Sequence, residues 1–90
     1  MKYEWDDSKR KANIAKHGVD FLSAEEFDWS TAIEVIDDRS NYGEDRWITL
    51  GFIGNRLHIM IYTDRIDTIR IIRLRKADKR ERGYYEMQTK

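Results

Sequence analysis

Three segments rich in apolar, β-branched and aromatic residues, Trp47 to Ile53, Arg56 to Tyr62 and Thr68 to Arg75, follow one another with only short breaks between them. Gly54-Asn55 separates the first two, and a two-residue break containing glycine is a strong hairpin signal because glycine takes the positive φ that tight turns demand. The stretch "TDRID" then reverses the chain into the third segment. This predicts an antiparallel meander, and the single modest core that 90 residues can bury has to form against it.

The remaining residues fit around that sheet. Tyr3 to Trp5 reads as a short strand, and Asp7 or Ser8 offers an N-cap for a helix to about His17, where Gly18 supplies a left-handed terminus. Ser23 and Glu26 have capping-box spacing, which predicts a second, short helix over Ser23 to Trp29 with Phe21, Ala24 and Phe27 turned inward. From Thr31 the apolar period becomes two, through Ile33 and Val35 up to Ile36, and the polar run Asp37 to Asp45 is a turn-rich loop. Asp78 caps a C-terminal helix ending near Met87. The expected architecture is α+β in the order βααββββα, a single domain over residues 1–90, with an antiparallel sheet packed against the N-terminal helices and a helix at the C-terminus. No proline, repeat or low-complexity stretch marks a second domain.

The chain has no cysteine, which rules out disulfides and thiolate metal sites, and charges interrupt every apolar run well short of a membrane span. A soluble, cytoplasmic protein with no membrane partner is the expectation. Its formal charge is zero, yet residues 1–45 carry six Lys/Arg against twelve Asp/Glu and residues 46–90 carry eleven against five, so the halves are net minus six and plus six. If the fold gathers the second half's cations on one face, they create a field that attracts a polyanion despite the neutral total.

The cations concentrate in two places. In "IRIIRLRKADKRERGYY", strand alternation puts Ile69, Ile71, Arg73 and Arg75 on one face and Arg70, Ile72 and Leu74 on the other. Arginine on both faces is costly to bury, so the arginines are expected at the margins of the sheet, opening onto a groove. In "KRKANIAKHG", Lys9, Asn13, Lys16 and His17 share one stripe of the first helix, with Ala12 and Ala15 on the side suited to close packing. His17 is the best proton-transfer candidate, since imidazole changes charge near neutral pH. The bland alternative for that stripe is a helix whose basic last turn complements its dipole, and for the other it is a set of solvated ion pairs. Other features fail as sites. Asp37, Asp38, Glu44 and Asp45 lack calcium-loop spacing, His58 has no second histidine at ligand spacing, and Ser8, Ser23, Ser30 and Ser40 match no nucleophile elbow. No metal site and no cofactor are therefore expected. Trp5, Trp29 and Trp47 read first as core aromatics, with base stacking by a tryptophan or tyrosine on a groove rim as the alternative.

The stretch "YEWDDSKRKANIAKHGVDFLSAEEFD" resembles the opening of the BrnT-type toxins of type II toxin-antitoxin systems, through Trp5, Asp6, Lys9, Asn13, Lys16, His17, Gly18, Val19, Phe21 and Ala24. "DRWITLG" and "IYTDRIDTIRIIRLRKADKRERGYYE" are similar to that family's second half, so the resemblance covers about residues 3 to 86. Family members often have serine-alanine where this chain has Arg73 and Leu74, so a role for position 73 is not carried over. The resemblance implies a RelE-like fold and a small endoribonuclease that inhibits translation. It also implies a BrnA-type antitoxin that holds the toxin inactive in a hetero-oligomer, which touches DNA only through the antitoxin to repress its own operon.

RNA carries its own nucleophile in the 2′-hydroxyl, so metal-independent cleavage needs a proton acceptor, cations for the charge on the transition state and a donor for the leaving 5′-oxygen. On this reading Arg70 and Arg75 hold the scissile phosphate, Arg46 holds a neighbouring phosphate, and Lys16 or His17 does the acid-base work. Lys9, Arg73 and Arg80 bind substrate, and Tyr62 orients a nucleotide. The alternatives are a nonenzymatic basic module that docks nucleic acid or an acidic protein, and a purely structural partner whose arginines are engaged by acids.

Overall fold

A computed structural model of the chain describes residues 1–39, 41 and 43–90. The order is β1 (Tyr3–Glu4), α1 (Asp7–His17), a 3₁₀ helix (Phe21–Glu26), β2 (Phe27–Asp37), β3 (Arg46–Ile53), β4 (Arg56–Arg65), β5 (Thr68–Lys76) and α2 (Lys79–Gln88). This is the α+β order the sequence implies. Ser40 and Tyr42, within the expected Asp37–Asp45 loop, lie outside the described residues.

The strands form one sheet in the order β1-β5-β4-β3-β2. Neighbours from β2 to β5 are antiparallel, while β1 joins as a two-residue parallel edge with Tyr3 opposite Ile69 and Glu4 opposite Arg70. The sheet is thus mixed rather than wholly antiparallel. Gly54 takes φ 61° in the β3–β4 turn, and the β4–β5 turn is closed by Asp67 at φ 62°. Asp6, not Asp7 or Ser8, caps α1 by accepting from the Ser8 and Lys9 amides. Gly18 ends the helix at φ 72°, with its N–H on the Ile14 carbonyl.

The short second helix differs from the expectation. It is 3₁₀ rather than α, and the chain is already a strand at Phe27, so Trp29 belongs to β2. Asp20 supplies the cap, its carboxylate accepting from Leu22 N–H at 3.0 Å. Phe21 and Ala24, three residues apart, fall on one side of a threefold helix and are both buried. Phe27 pairs with Ile53, and its ring lies across Gly51, where an added Cβ would sit 2.5 Å from the ring. Only glycine fits there.

One face of the sheet, under α1 and the 3₁₀ helix, carries the larger core of Phe21, Phe27, Met60, Tyr62, Ile69, Ile71 and Leu74, with Trp5, Trp29 and Trp47 packed around it. Trp29 stands edge-on to both Phe27 and Tyr62, and its indole N–H donates to Tyr3 Oη at 2.7 Å. The opposite face holds Leu50, Leu57, Ile59 and Ala77 beneath α2, whose Tyr85 meets Phe52 edge-on and donates to the Thr31 carbonyl. Asp78 and Glu81 complete a capping box at the start of α2. Among the described residues no helix is long and apolar enough to cross a membrane.

Candidate active site

The alternation read from the sequence breaks in the middle of β5. Ile61 pairs with Arg73 but Tyr62 pairs with Ile71, so Ile72 is an extra residue, a β-bulge. Leu74 therefore joins Ile69 and Ile71 in the core instead of lying opposite them, and Arg73 and Arg75 are turned away from that core. No residue pattern in "RIIRLR" encodes this shift of phase.

Beyond the bulge β1 no longer covers the edge of β5, and α1 takes its place. Asn13, 6% exposed, donates from Nδ2 to the Leu74 carbonyl at 2.7 Å and to the Val19 carbonyl at 2.9 Å, and its Oδ1 accepts from Leu74 N–H at 3.3 Å. The side-chain amide stands in for a neighbouring strand and satisfies both polar groups of one edge residue. Asn13 is the only residue of α1 that is buried; Ala12 and Ala15, expected on the packed side, are exposed. Arg10 braces the same helix through a two-toothed bond to Asp20, at 2.8 and 2.9 Å.

This junction leaves a hollow of ≈ 320 Å³ lined by Lys9, Ala12, Asn13, Lys16, His17, Arg46, Ile72 and Arg73. Four formal cations and an imidazole line it, and no carboxylate does. Lys9, Lys16 and Arg73 are exposed and make no ion pair among the described residues. His17 is half-buried, and its pKa lies below the ordinary 6.5, first because burial disfavours the charged form and then because Lys16, Arg75 and Arg73 repel it. It is held neutral at neutral pH, able to accept a proton. A larger hollow, ≈ 730 Å³, sits beside the end of β2, where Asp38, Glu44 and Asp45 would repel a phosphate; the buried Asp37 carboxylate there is already held by Arg39.

The other expected site residues lie outside the hollow. Arg70 bonds Glu4 at 3.0 Å, because the parallel register sets Glu4 beside it. Arg75 grips both Glu81 oxygens at 2.8 Å, and the same carboxylate accepts from Asp78 N–H in the capping box. The Arg75 charge still reaches His17. Arg80 is exposed on α2. Tyr62, read from sequence as a nucleotide contact, is 3% exposed in the core, its phenol pushed up to about 12 chiefly by burial. Such a ring has no surface to offer a base. Ala12, Asn13 and Ile72 line the hollow without having been singled out for it; the position of Asn13 on the Lys9–Lys16 stripe was the available signal.

A cleft lined by four cations and an imidazole, built where a helix replaces a strand at a sheet edge, gives this small α+β protein a place suited to a polyanion. The chain belongs to the ribonuclease toxins, BrnT, of type II toxin-antitoxin systems: the pattern that describes this family matches residues 5–81 of the 90. A comparison with curated proteins gave no match. RNA as substrate and an antitoxin as protein partner follow from the family.

Proposed function

We propose that this ribonuclease cleaves RNA within the hollow between α1 and β5 by attack of the 2′-hydroxyl on the adjacent phosphorus, without a metal ion. The observation that carries the reading is the gathering of Lys9, Lys16, His17, Arg46 and Arg73 around one space that no carboxylate lines. His17 takes the 2′ proton. Arg46 and Arg73 hold the phosphate oxygens as charge builds in the transition state, a task suited to the planar guanidinium fork. Lys16 gives a proton to the departing 5′-oxygen, and Lys9 extends the cationic track along the backbone. The bond from phosphorus to the 5′-oxygen breaks as that to the 2′-oxygen forms, leaving a 2′,3′-cyclic phosphate and a 5′-hydroxyl. Arg75, held by Glu81, acts from behind through its field on His17, while Arg70 and Arg80 contact the RNA outside the cleft. Tyr62 serves the fold. The protein works in the cytoplasm, and a BrnA-type antitoxin silences it and links the complex to DNA.

The test is incubation of the purified, antitoxin-free chain with end-labelled RNA in EDTA. Cyclic-phosphate ends are expected. Retention of RNA without cutting would instead make the chain a binding module, and cutting lost in EDTA but restored by magnesium would remove the metal-free mechanism.

Arg73→Ala separates this arrangement from one centred on Arg70 and Arg75. Loss of one charge-assisted contact costs about 1.5–3 kcal/mol, so cleavage should fall by about ten- to a hundredfold. Thermal stability should stay unchanged, because Arg73 is exposed and unpaired among the described residues. Full activity in Arg73→Ala, measured as kcat/KM on a short oligonucleotide, would return the phosphate to Arg70 or Arg75.

A further inference from the structure

The two ends of the sheet are finished differently. At one end β1 covers the start of β5 and Asn13 satisfies Leu74 beyond it. At the other, β2 is the last strand, with a whole row of outward backbone groups and no neighbour among the described residues. Its first half is occupied: the register with β3 is irregular between Asp28 and Ile33, Thr31 Oγ1 accepts from Phe52 N–H, and the Thr31 carbonyl accepts from Tyr85. Its second half is regular, five successive pairs from Ile33 opposite Leu50 to Asp37 opposite Arg46. Open strands of this kind are normally guarded by charged side chains, lysine above all, by proline or by a bulge, and within Ile33–Asp37 Glu34 is the one exposed charge. Residues 27–37 contain no lysine, arginine or proline, and the only irregularity lies upstream of the open stretch.

Val35 and Ile36 are 41% and 47% exposed there. Consecutive strand residues point to opposite faces, so an added strand would cover one apolar side chain on each face of the sheet. The charges around them are mixed with an acidic excess. Arg39 holds the buried Asp37 carboxylate at 2.7 and 2.8 Å and Arg65 reaches Glu44 at 3.5 Å, which leaves Glu34, Asp38 and Asp45 as the acids without an ion pair among the described residues. Glu34 and Asp38 are exposed, and the ≈ 730 Å³ hollow at the end of β2 adds Glu44 and Asp45.

The geometry points to the antitoxin docking as an added strand along Ile33–Asp37, with basic side chains seated in the acidic hollow at its end. A second copy of this chain fits less well, since pairing this edge with itself would bring two acidic segments together, and like charges on facing strands are unfavourable. The position also accounts for silencing. Asp37 is the register partner of Arg46, which lines the cationic cleft, so an added strand lies about 10 Å from the β3 backbone at that arginine, two strand spacings away. From there the antitoxin chain can continue over the cleft mouth. This inference rests on the family assignment and needs none of the catalytic roles.

The experiment compares amide hydrogen exchange, residue by residue, in the full chain alone and bound to its cognate antitoxin. At least tenfold slowing at alternate amides within residues 33–37 is expected. The double variant Val35→Lys, Ile36→Lys should weaken binding at least tenfold, and added salt should weaken binding by the unmodified chain. Unchanged exchange across residues 33–37 in the complex, or full-strength binding by the double variant, would overturn the proposal. So would slowing of the same amides in the free chain as it self-associates, which would give the edge to a second copy. If RNA cutting proves absent while the exchange pattern holds, the catalytic reading alone has failed.

Discussion

Replacing His17 by alanine is expected to lower kcat/KM for RNA cleavage by about a hundred- to ten-thousandfold, the usual worth of a positioned general base, and to erase one limb of the pH profile. The direction of that limb follows from the environment of the imidazole. Burial and the nearby Lys16, Arg75 and Arg73 hold its pKa below the ordinary 6.5. A base must be neutral to act, so kcat/KM should rise with pH through a value under 6.5 and be level at pH 7 and above. If His17 served as the acid, the profile would instead fall across the same window, and little activity would remain at neutral pH. The measurement is kcat/KM between pH 4.5 and 8.5 for the parent chain and the variant. An identical limb in both would remove His17 from the chemistry. Stability has the same sign: the unfolded chain binds the proton more readily than the folded one, so this group's contribution is present above 6.5 and is lost as pH falls through the depressed value.

The second large effect concerns the fold at the cleft. Asn13→Ala leaves the Leu74 N–H and the Leu74 and Val19 carbonyls without their buried partner. An unsatisfied buried group costs about 1–3 kcal/mol, and partial repair by water or by movement of α1 brings the expected loss to about 2–4 kcal/mol. In a domain of this size each kcal/mol moves the melting temperature by about 4–8 °C, so a drop of at least 8 °C is expected in a thermal scan. Asn13→Asp should do no better at neutral pH, because its carboxylate would face two carbonyl oxygens. It should recover part of the loss in acid, where a protonated carboxyl regains one donor. A melting temperature within 2 °C of the parent for Asn13→Ala would show that α1 is held to β5 by other means.

These two residues also mark how far the sequence could be read. Local signals worked where the physics is local. Gly54-Asn55 announced its turn, Gly18 its helix end and Asp78 its cap, because each depends on a φ value or a hydrogen bond within a few residues. The α+β order followed from the change of apolar period. Contacts between distant segments left no such mark. The parallel pairing of β1 with β5, and the Glu4–Arg70 bond that depends on it, join residues more than sixty positions apart. The polar stripe of the first helix put Lys9, Lys16 and His17 together, and Arg46 was expected beside Arg70 and Arg75, which the fold ties to Glu4 and Glu81 instead. Strand alternation assigned Arg73 and Leu74 to faces that the bulge at Ile72 reverses. The amphipathic reading of α1 expected alanines to pack, yet a buried amide does that work through geometry no periodicity reports.

That bulge divides strand five into two registers of design. Ahead of it, Ile69 and Ile71 answer to the interior; at it, Ile72 and Arg73 answer to whatever enters the cleft. If RNA is cut in this cleft, a lineage can alter the pair there and change which RNA it prefers while the packed interior stays as it was, so that recognition is free to drift without the fold having to follow.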